Sequence, residues 1–266
     1  MILRSLQVNQ DVSSAGRRVS AWEAIERSQR QMMGAKECWL ITQPAHAALS
    51  AEIALKLKPE IFGAMDDATI RAIALHDSGW SASDANAIQA SRSIGGKKSA
   101  GKSPQILPFI AVDPKESLAA CNISIEMAEK VSALGGFLVS EHFRNIAVAN
   151  RDKAPALISK FVANEELRQK KLRPKIALSD AEIQRLVEGL RFCDLLSLYL
   201  CSGASESIEF PQMIEGKNII LERTGNDQCS MNPFPFMADE IFGISAIRHP
   251  KLKEQSSARF FLKLTA

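Results

Sequence analysis

Residues 179–202 read SDAEIQRLVEGLRFCDLLSLYLCS, and the way this stretch folds governs how the rest of the chain is read. Ser179, followed three residues later by Glu182, is the reciprocal capping pair that opens a helix. From there Ile183, Leu186, Val187, Leu190, Asp194, Ser197, Leu198 and Cys201 recur at three- and four-residue intervals along one helix face. So apolar a face turns to a core, and Asp194 is the only charge on it. The stretch predicts a buried helix that carries one carboxylate inward.

Towards the N-terminus the helical texture persists. APALISKFVANEELRQKKLR (154–173) is a charged helical segment stopped by Pro174, and PKESLAACNISIEMAEKVSAL (114–134) is another. The pattern breaks at Gly135 and Gly136 and resumes as FLVSEHFRNIAVA, where Val139, His142, Phe143 and Ile146 share a side and turn His142 inward. PAHAALSAEIALKL (44–57) has proline in a tolerated first-turn position and an inner stripe of His46, Leu49, Ser50, Ile53 and Leu57. The next helix begins at Asp66 or Asp67 and runs through ATIRAIALHD to Gly79. Ile70, Ile73, Ala74 and Asp77 share its inner face, with His76 about a hundred degrees to one side.

Two regions depart from this texture, and a third closes the chain. Residues 81–114, rich in Ser, Gly, Lys and Pro, read as a long irregular loop. The first 40 residues hold a polar, Ser/Arg-rich stretch between ILRSLQV and CWLIT, either of which suits an edge strand. After Ser202 come short β-like runs (SIEF, KNIILER, EIFGISAIR, ARFFLKLTA) between turn signals. The expected fold is mainly α: a helical bundle over 1–205, N-terminal extension included, with room for a short N-terminal strand or hairpin. A small β-rich appendage, 206–266, packs on it.

Composition narrows the function classes. The chain has 266 residues, 46% hydrophobic and 24% charged, which is ordinary for a globular protein able to bury a core. A formal charge of +3 falls short of the clustered excess of a dedicated nucleic-acid binder, and leaves phosphorylated small molecules open as partners. Five cysteines, odd in number and without a CxxC pair, point to a reducing compartment. With no signal-peptide pattern and no bilayer-length apolar stretch, the expectation is a cytoplasmic protein with no membrane partner.

The inward polar residues carry the chemistry. An unpaired buried carboxylate costs several kcal/mol, so Asp77 and Asp194 each need a cation, strong donors or a proton. Three of the four histidines also fall on inward faces. Either each group is hydrogen bonded separately, or one divalent ion compensates two imidazoles and two carboxylates together. Such a donor set suits Mn, Fe, Co, Ni or Zn, with Mg admissible, and leaves positions for water and substrate.

His46, the doublet His76-Asp77 and the distant Asp194 resemble the H...HD...D signature of the HD-domain superfamily, all-helical metal-dependent phosphohydrolases. The segments ITQPAHAALSAEIA, ALHDSGWSASD and CDLLSLYLC, with a weaker echo at NPFPF, are also similar to a bacterial family known only as a domain of unknown function. The likeness spans roughly residues 40 to 202. It implies an ion held by His46, His76, Asp77 and Asp194, and hydrolysis of a nucleotide or other small phosphate ester. Asp77 would orient the attacking water, and His142 would act as general acid, substrate contact or additional ligand. Dinuclear members carry two further histidines before the last aspartate, and this chain has only His142 there, which favours a single ion. An HD-type oxygenase with paired irons and a non-catalytic metal-binding or signalling module are the alternatives.

GKKSAGKS (96–103) fits the phosphate-loop pattern GxxxxGK[ST] letter for letter, but it lacks a preceding strand, and Pro104 and Pro108 oppose the helix that must follow. It reads as a solvated basic loop whose Lys97, Lys98 and Lys102 can meet substrate phosphates. Gln43 caps the first ligand helix or touches substrate. Trp80 walls the pocket or plugs the core. Cys193 and Cys201 read as small hydrophobes, Glu141 and Asp84 as solvated reserve acids, and His249 as surface.

Overall fold

The computed structural model describes residues 1–6, 18–93, 106–225, 227–250 and 257–266. A short strand β1 (Ile2–Arg4) opens the chain, followed by β2 (Val19–Ser20), α1 (Ala21–Gln31) and β3 (Cys38–Ile41). The helical body comprises α2 (Gln43–Ala54), α3 (Pro59–Phe62), α4 (Asp67–Leu75), α5 (Ser81–Ser93), α6 (Pro114–Val131), α7 (Ala133–Ala149), α8 (Pro155–Leu172) and α9 (Asp180–Ser202). Strands β4 (Ile208–Ile214), β5 (Lys217–Gly225), β6 (Gln228–Asn232), β7 (Glu240–His249) and β8 (Ser257–Thr265) complete it.

Helix α9 forms as its sequence dictates. Ser179 Oγ accepts from the Glu182 amide, the Glu182 carboxylate accepts from the Ser179 amide at 2.8 Å, and the helix stops at Gly203, whose φ of +69° is left-handed. Its inner face packs on α2, α1 and α7, and Phe192 stacks on Phe62 and tilts against Phe210 of β4. Helix and sheet therefore share one core.

The expectation of a helical bundle with a small C-terminal β appendage is wrong. The strands form one eight-stranded mixed sheet, ordered β1-β3-β7-β8-β6-β5-β4-β2, drawn from both ends of the chain. β3 pairs antiparallel with β7, Cys38 opposite His249, and β2 pairs parallel with β4. The N-terminal runs are only two to four residues long and fully apolar or mixed, so they show no alternation; their partners lie far along the chain, where local pattern says nothing of them. Only β1, of the two runs expected as edges, lies on an edge.

Two local readings also change. The stretch expected as loop from 81 begins with α5, which follows directly from a 3-10 turn, Ser78–Trp80. Its Ser-rich start hid it, and a buried contact through Asp84 anchors it. Gly135 and Gly136 do not break a helix; the break is at Ser132, which caps α7 by accepting from the Gly135 amide at 2.8 Å. The phosphate-loop-like segment 96–103, with Lys97, Lys98 and Lys102, lies outside the described residues.

Candidate metal centre

Four elements and one turn deliver the site. Thr42 caps α2 by accepting from the Ala45 amide, with Pro44 in the first turn, and one turn later this helix presents His46 to the core. Asp66 caps α4 in the same way, accepting from the Thr69 amide at 2.8 Å, and α4 runs to a cap position occupied by His76. Asp77 begins the turn that follows. Helix α7 brings His142, and α9 brings Asp194; all five side chains are buried.

Small residues allow the approach. A Cβ on Gly79 would lie 2.0 Å from the carbonyl oxygen of Ala120, so only glycine lets the turn after the doublet press on α6, where its amide donates to Ser124 Oγ at 2.9 Å. A Cβ on Gly135 would lie 2.6 Å from that of Ala72, so α7 meets α4 there. His142, two turns further along α7, is thereby carried towards the doublet.

The donor atoms converge. His46 Nε2 lies 2.8 Å from Asp77 Oδ2 and 3.6 Å from Asp194 Oδ1, while His76 Nε2 lies 3.3 Å from Asp194 Oδ1 and 3.8 Å from Asp77 Oδ2. His142 Nε2 is 3.6 Å from Asp194 Oδ2. The imidazoles stand nearly perpendicular, His46 to His76 at 88° and His76 to His142 at 86°. Two overlapping triads result, His46-His76-Asp77 and His76-His142-Asp194, each with ligand atoms within 4.8 Å of one another.

The charges follow from this packing. Burial opposes the charged form of His76, but Asp77 and the hydrogen bond and charge of Asp194 outweigh it and raise the imidazole to about 9. Burial likewise opposes ionised Asp194, yet the His76 hydrogen bond and the surrounding imidazoles pull it down to about 2, and Asp77 is lowered for similar reasons. His142 goes the other way: burial, only partly countered by Asp194, lowers it to about 4. The site concentrates negative charge and asks for a cation.

His76 is the test of whether a metal ion fits. Its Nδ1 lies 2.8 Å from the carbonyl oxygen of Ile73, which can only accept, so that nitrogen carries a proton. The other nitrogen then meets the Asp194 carboxylate as a lone pair unless a second proton or a metal ion stands between them. An imidazole held by its Nδ1 and presenting Nε2 to carboxylates is the usual arrangement of a metal-ligating histidine. Solvent reaches the site from the carboxylate side: the Asp77 and Asp194 side chains are 10% and 9% exposed, those of His46 and His76 0% and 1%.

The remaining expected residues fall in several places. Gln43 is buried at the start of α2, and its backbone amide donates to Asp84 Oδ2 at 2.6 Å; Thr42, not Gln43, is the cap, and Gln43 Oε1 has no partner among the described residues. Trp80 is buried in the turn after Asp77. Asp84 is not solvated: it is buried, 3.0 Å from the amino group of Met1. Glu141 is tied up with Arg144 at 2.7 Å. Cys193 and Cys201 are buried, and burial pushes the Cys201 thiol up to about 12. His249 is not a surface residue but a buried one in β7.

Two contributions escaped the sequence reading. Arg191, one turn before Asp194 and partly exposed, lies near enough to lower the His142 imidazole, and it pairs with Glu188 at 2.6 Å. Ser50 and Ser197 sit behind His46, and a hydroxyl on an otherwise apolar stripe, four residues after His46 or three after Asp194, was the signal for them.

Fold and site together define a mixed α/β protein with a buried His/Asp centre of the kind that can hold a metal ion. Over residues 32–245 the sequence matches the family described as protein of unknown function (DUF3891), and the chain belongs to that family. No curated protein and no solved structure matches it. Among the described residues, no helix is long and apolar enough to cross a membrane.

Proposed function

We propose that this protein is a metal-dependent phosphohydrolase of HD-domain type, acting on a nucleotide or other small phosphate ester with one divalent ion held by His46, His76, Asp77 and Asp194. The observation that carries the reading is that the H...HD...D residues from α2, α4, its following turn and α9 come within 2.8–3.8 Å of one another in His–Asp pairs, Asp77 in one triad and Asp194 in a second that shares His76. The ion, Mn, Fe, Co, Ni, Zn or Mg, supplies Lewis acidity that acidifies water and polarises a phosphoryl oxygen. Asp77, on the solvent side, orients the attacking water. Gln43 Oε1, buried on the His46 face of α2 and without a hydrogen-bond partner among the described residues, accepts a hydrogen bond from substrate or water. Trp80 walls the turn side of the pocket; Lys102, which lies outside the described residues, is offered as a phosphate contact on its charge alone.

Burial lowers the His142 imidazole to about 4, which favours a role as substrate contact or additional ligand over that of general acid. Arg191 supplies a positive charge near the site, suited to a phosphate. A second reading, an oxygenase with paired irons, rests on one observation: His142 adds a second triad, His76-His142-Asp194, which shares His76 with the first and so offers a second ion His142 and Asp194.

The test is a phosphate-release screen over nucleotides and small phosphate esters, with each divalent metal added. Wild type should release phosphate from at least one substrate, and Asp77→Ala should fall by a factor of roughly 100 or more. Equal release by the two proteins would remove Asp77 from the reaction. Two irons per chain with oxygen consumption would favour the second reading.

A further inference from the structure

His46 differs from the other two imidazoles in what stands behind it. Its Nδ1 lies 2.7 Å from Ser197 Oγ, which lies 2.7 Å from Ser50 Oγ, and all three side chains are fully buried. Ser197 Oγ also lies 2.9 Å from the carbonyl oxygen of Asp194, and Ser50 Oγ 3.1 Å from that of His46. At 2.7 Å one serine donates to the other, so the hydroxyl protons alone do not select a tautomer of His46. His46 Nε2 lies 2.8 Å from Asp77 Oδ2, which only accepts; an ion there would take the Nε2 lone pair and leave the imidazole proton on Nδ1, where Ser197 Oγ is placed to accept from it.

We propose that Ser197, backed by Ser50, is a positioning residue that holds the His46 ring in the orientation a metal ion requires and accepts from its Nδ1 once Nε2 is ligated; the proposal rests on the metal-centre reading above. Ser197 is anchored to the helix that supplies Asp194, and to the backbone of Asp194 itself, so one hydroxyl registers a ligand of α2 against a ligand of α9. His76 is held at Nδ1 by the Ile73 carbonyl, whereas His142 Nδ1 has no partner among the described residues. Two of the three imidazoles are therefore held at Nδ1 with Nε2 turned to the carboxylates, and the third is not held there.

The test uses the full chain, stripped with chelator and titrated with zinc against a chromophoric competitor. Ser197→Ala should bind zinc about 10–100-fold more weakly, with a smaller loss for Ser50→Ala and recovery in Ser197→Thr, which restores the hydroxyl. Should Ser197→Ala fail to fold, long-range proton–nitrogen correlation on zinc-loaded wild type answers the same question, with His46 expected protonated at Nδ1. Zinc affinity of Ser197→Ala within about twofold of wild type, or a His46 protonated at Nε2, overturns the proposal alone. A wild type that takes up neither zinc nor any of the other offered divalent ions overturns the metal-centre reading and this proposal with it; one that prefers another of these ions is titrated with that ion instead.

Discussion

Replacing Gly79 by alanine puts the smallest possible side chain where the fold has no room for one. The new Cβ would lie 2.0 Å from the Ala120 carbonyl oxygen, against roughly 3.3–3.6 Å for a close C···O contact, so the turn and α6 must part by about 1.3 Å. Overpacking of this kind costs about 1–3 kcal/mol, and the hydrogen bond from the Gly79 amide to Ser124 Oγ, about 1 kcal/mol net, is stretched with it. A loss of about 3 kcal/mol corresponds to a melting temperature lower by roughly 6–12 °C for a domain of this size. Asp77 lies two residues upstream, so zinc affinity should fall as well, by a factor of roughly 10 or more. Thermal melting of the metal-free protein and a zinc competition titration read the two effects separately. Ser124→Ala removes only the hydrogen bond and should cost about 1 kcal/mol. Alanine is the better helix former, so an unchanged or raised melting temperature in Gly79→Ala would refute the close approach of turn and helix.

Two further outcomes follow from buried charge. Asp84→Ala strands the Met1 amino group and the Gln43 amide, and should cost about 3 kcal/mol in a denaturant melt; a loss near zero would mean that Asp84 is solvated after all. In metal-free protein, His76 rises from its ordinary 6.5 to about 9, so its contribution is complete below pH 6.5 and is lost as pH climbs to about 9. Asp194, lowered from 3.8 to about 2, contributes above pH 3.8 and loses its share as pH falls through 2. Metal-free melting should therefore peak between these limits, and a melting temperature that rises from pH 6.5 to 9 would contradict the pairing of His76 with the two carboxylates.

The site was more legible than the fold, for a physical reason. Helical phase is written in local spacing, so the lone charge of Asp194 on an apolar stripe, and the inward turn of His46 and His142, are legible in the sequence alone. Strand partnership is not local. Ile2–Arg4 and Cys38–Ile41 are too short to alternate, and nothing near Cys38 names His249 as its partner. That same pairing buries His249, whose neighbours Arg248 and Pro250 suggest a surface. Asp84 was misread because its partners, the Met1 amino group and the Gln43 amide, are backbone groups brought by tertiary folding. Gly135 and Gly136 look like a break in sequence, and only the contacts of α7 with Ala72 and Glu129 show that they are packing residues.

The central claim is that His46, His76, Asp77 and Asp194 hold a metal ion. Elemental analysis of protein purified without chelator tests it directly, on wild type beside His76→Ala and Asp194→Ala. The account predicts about one divalent metal ion per wild-type chain and little or none in either variant of unchanged fold. A metal-free wild type that takes up none of the offered divalent ions, or variants that retain the wild-type metal content, would contradict it.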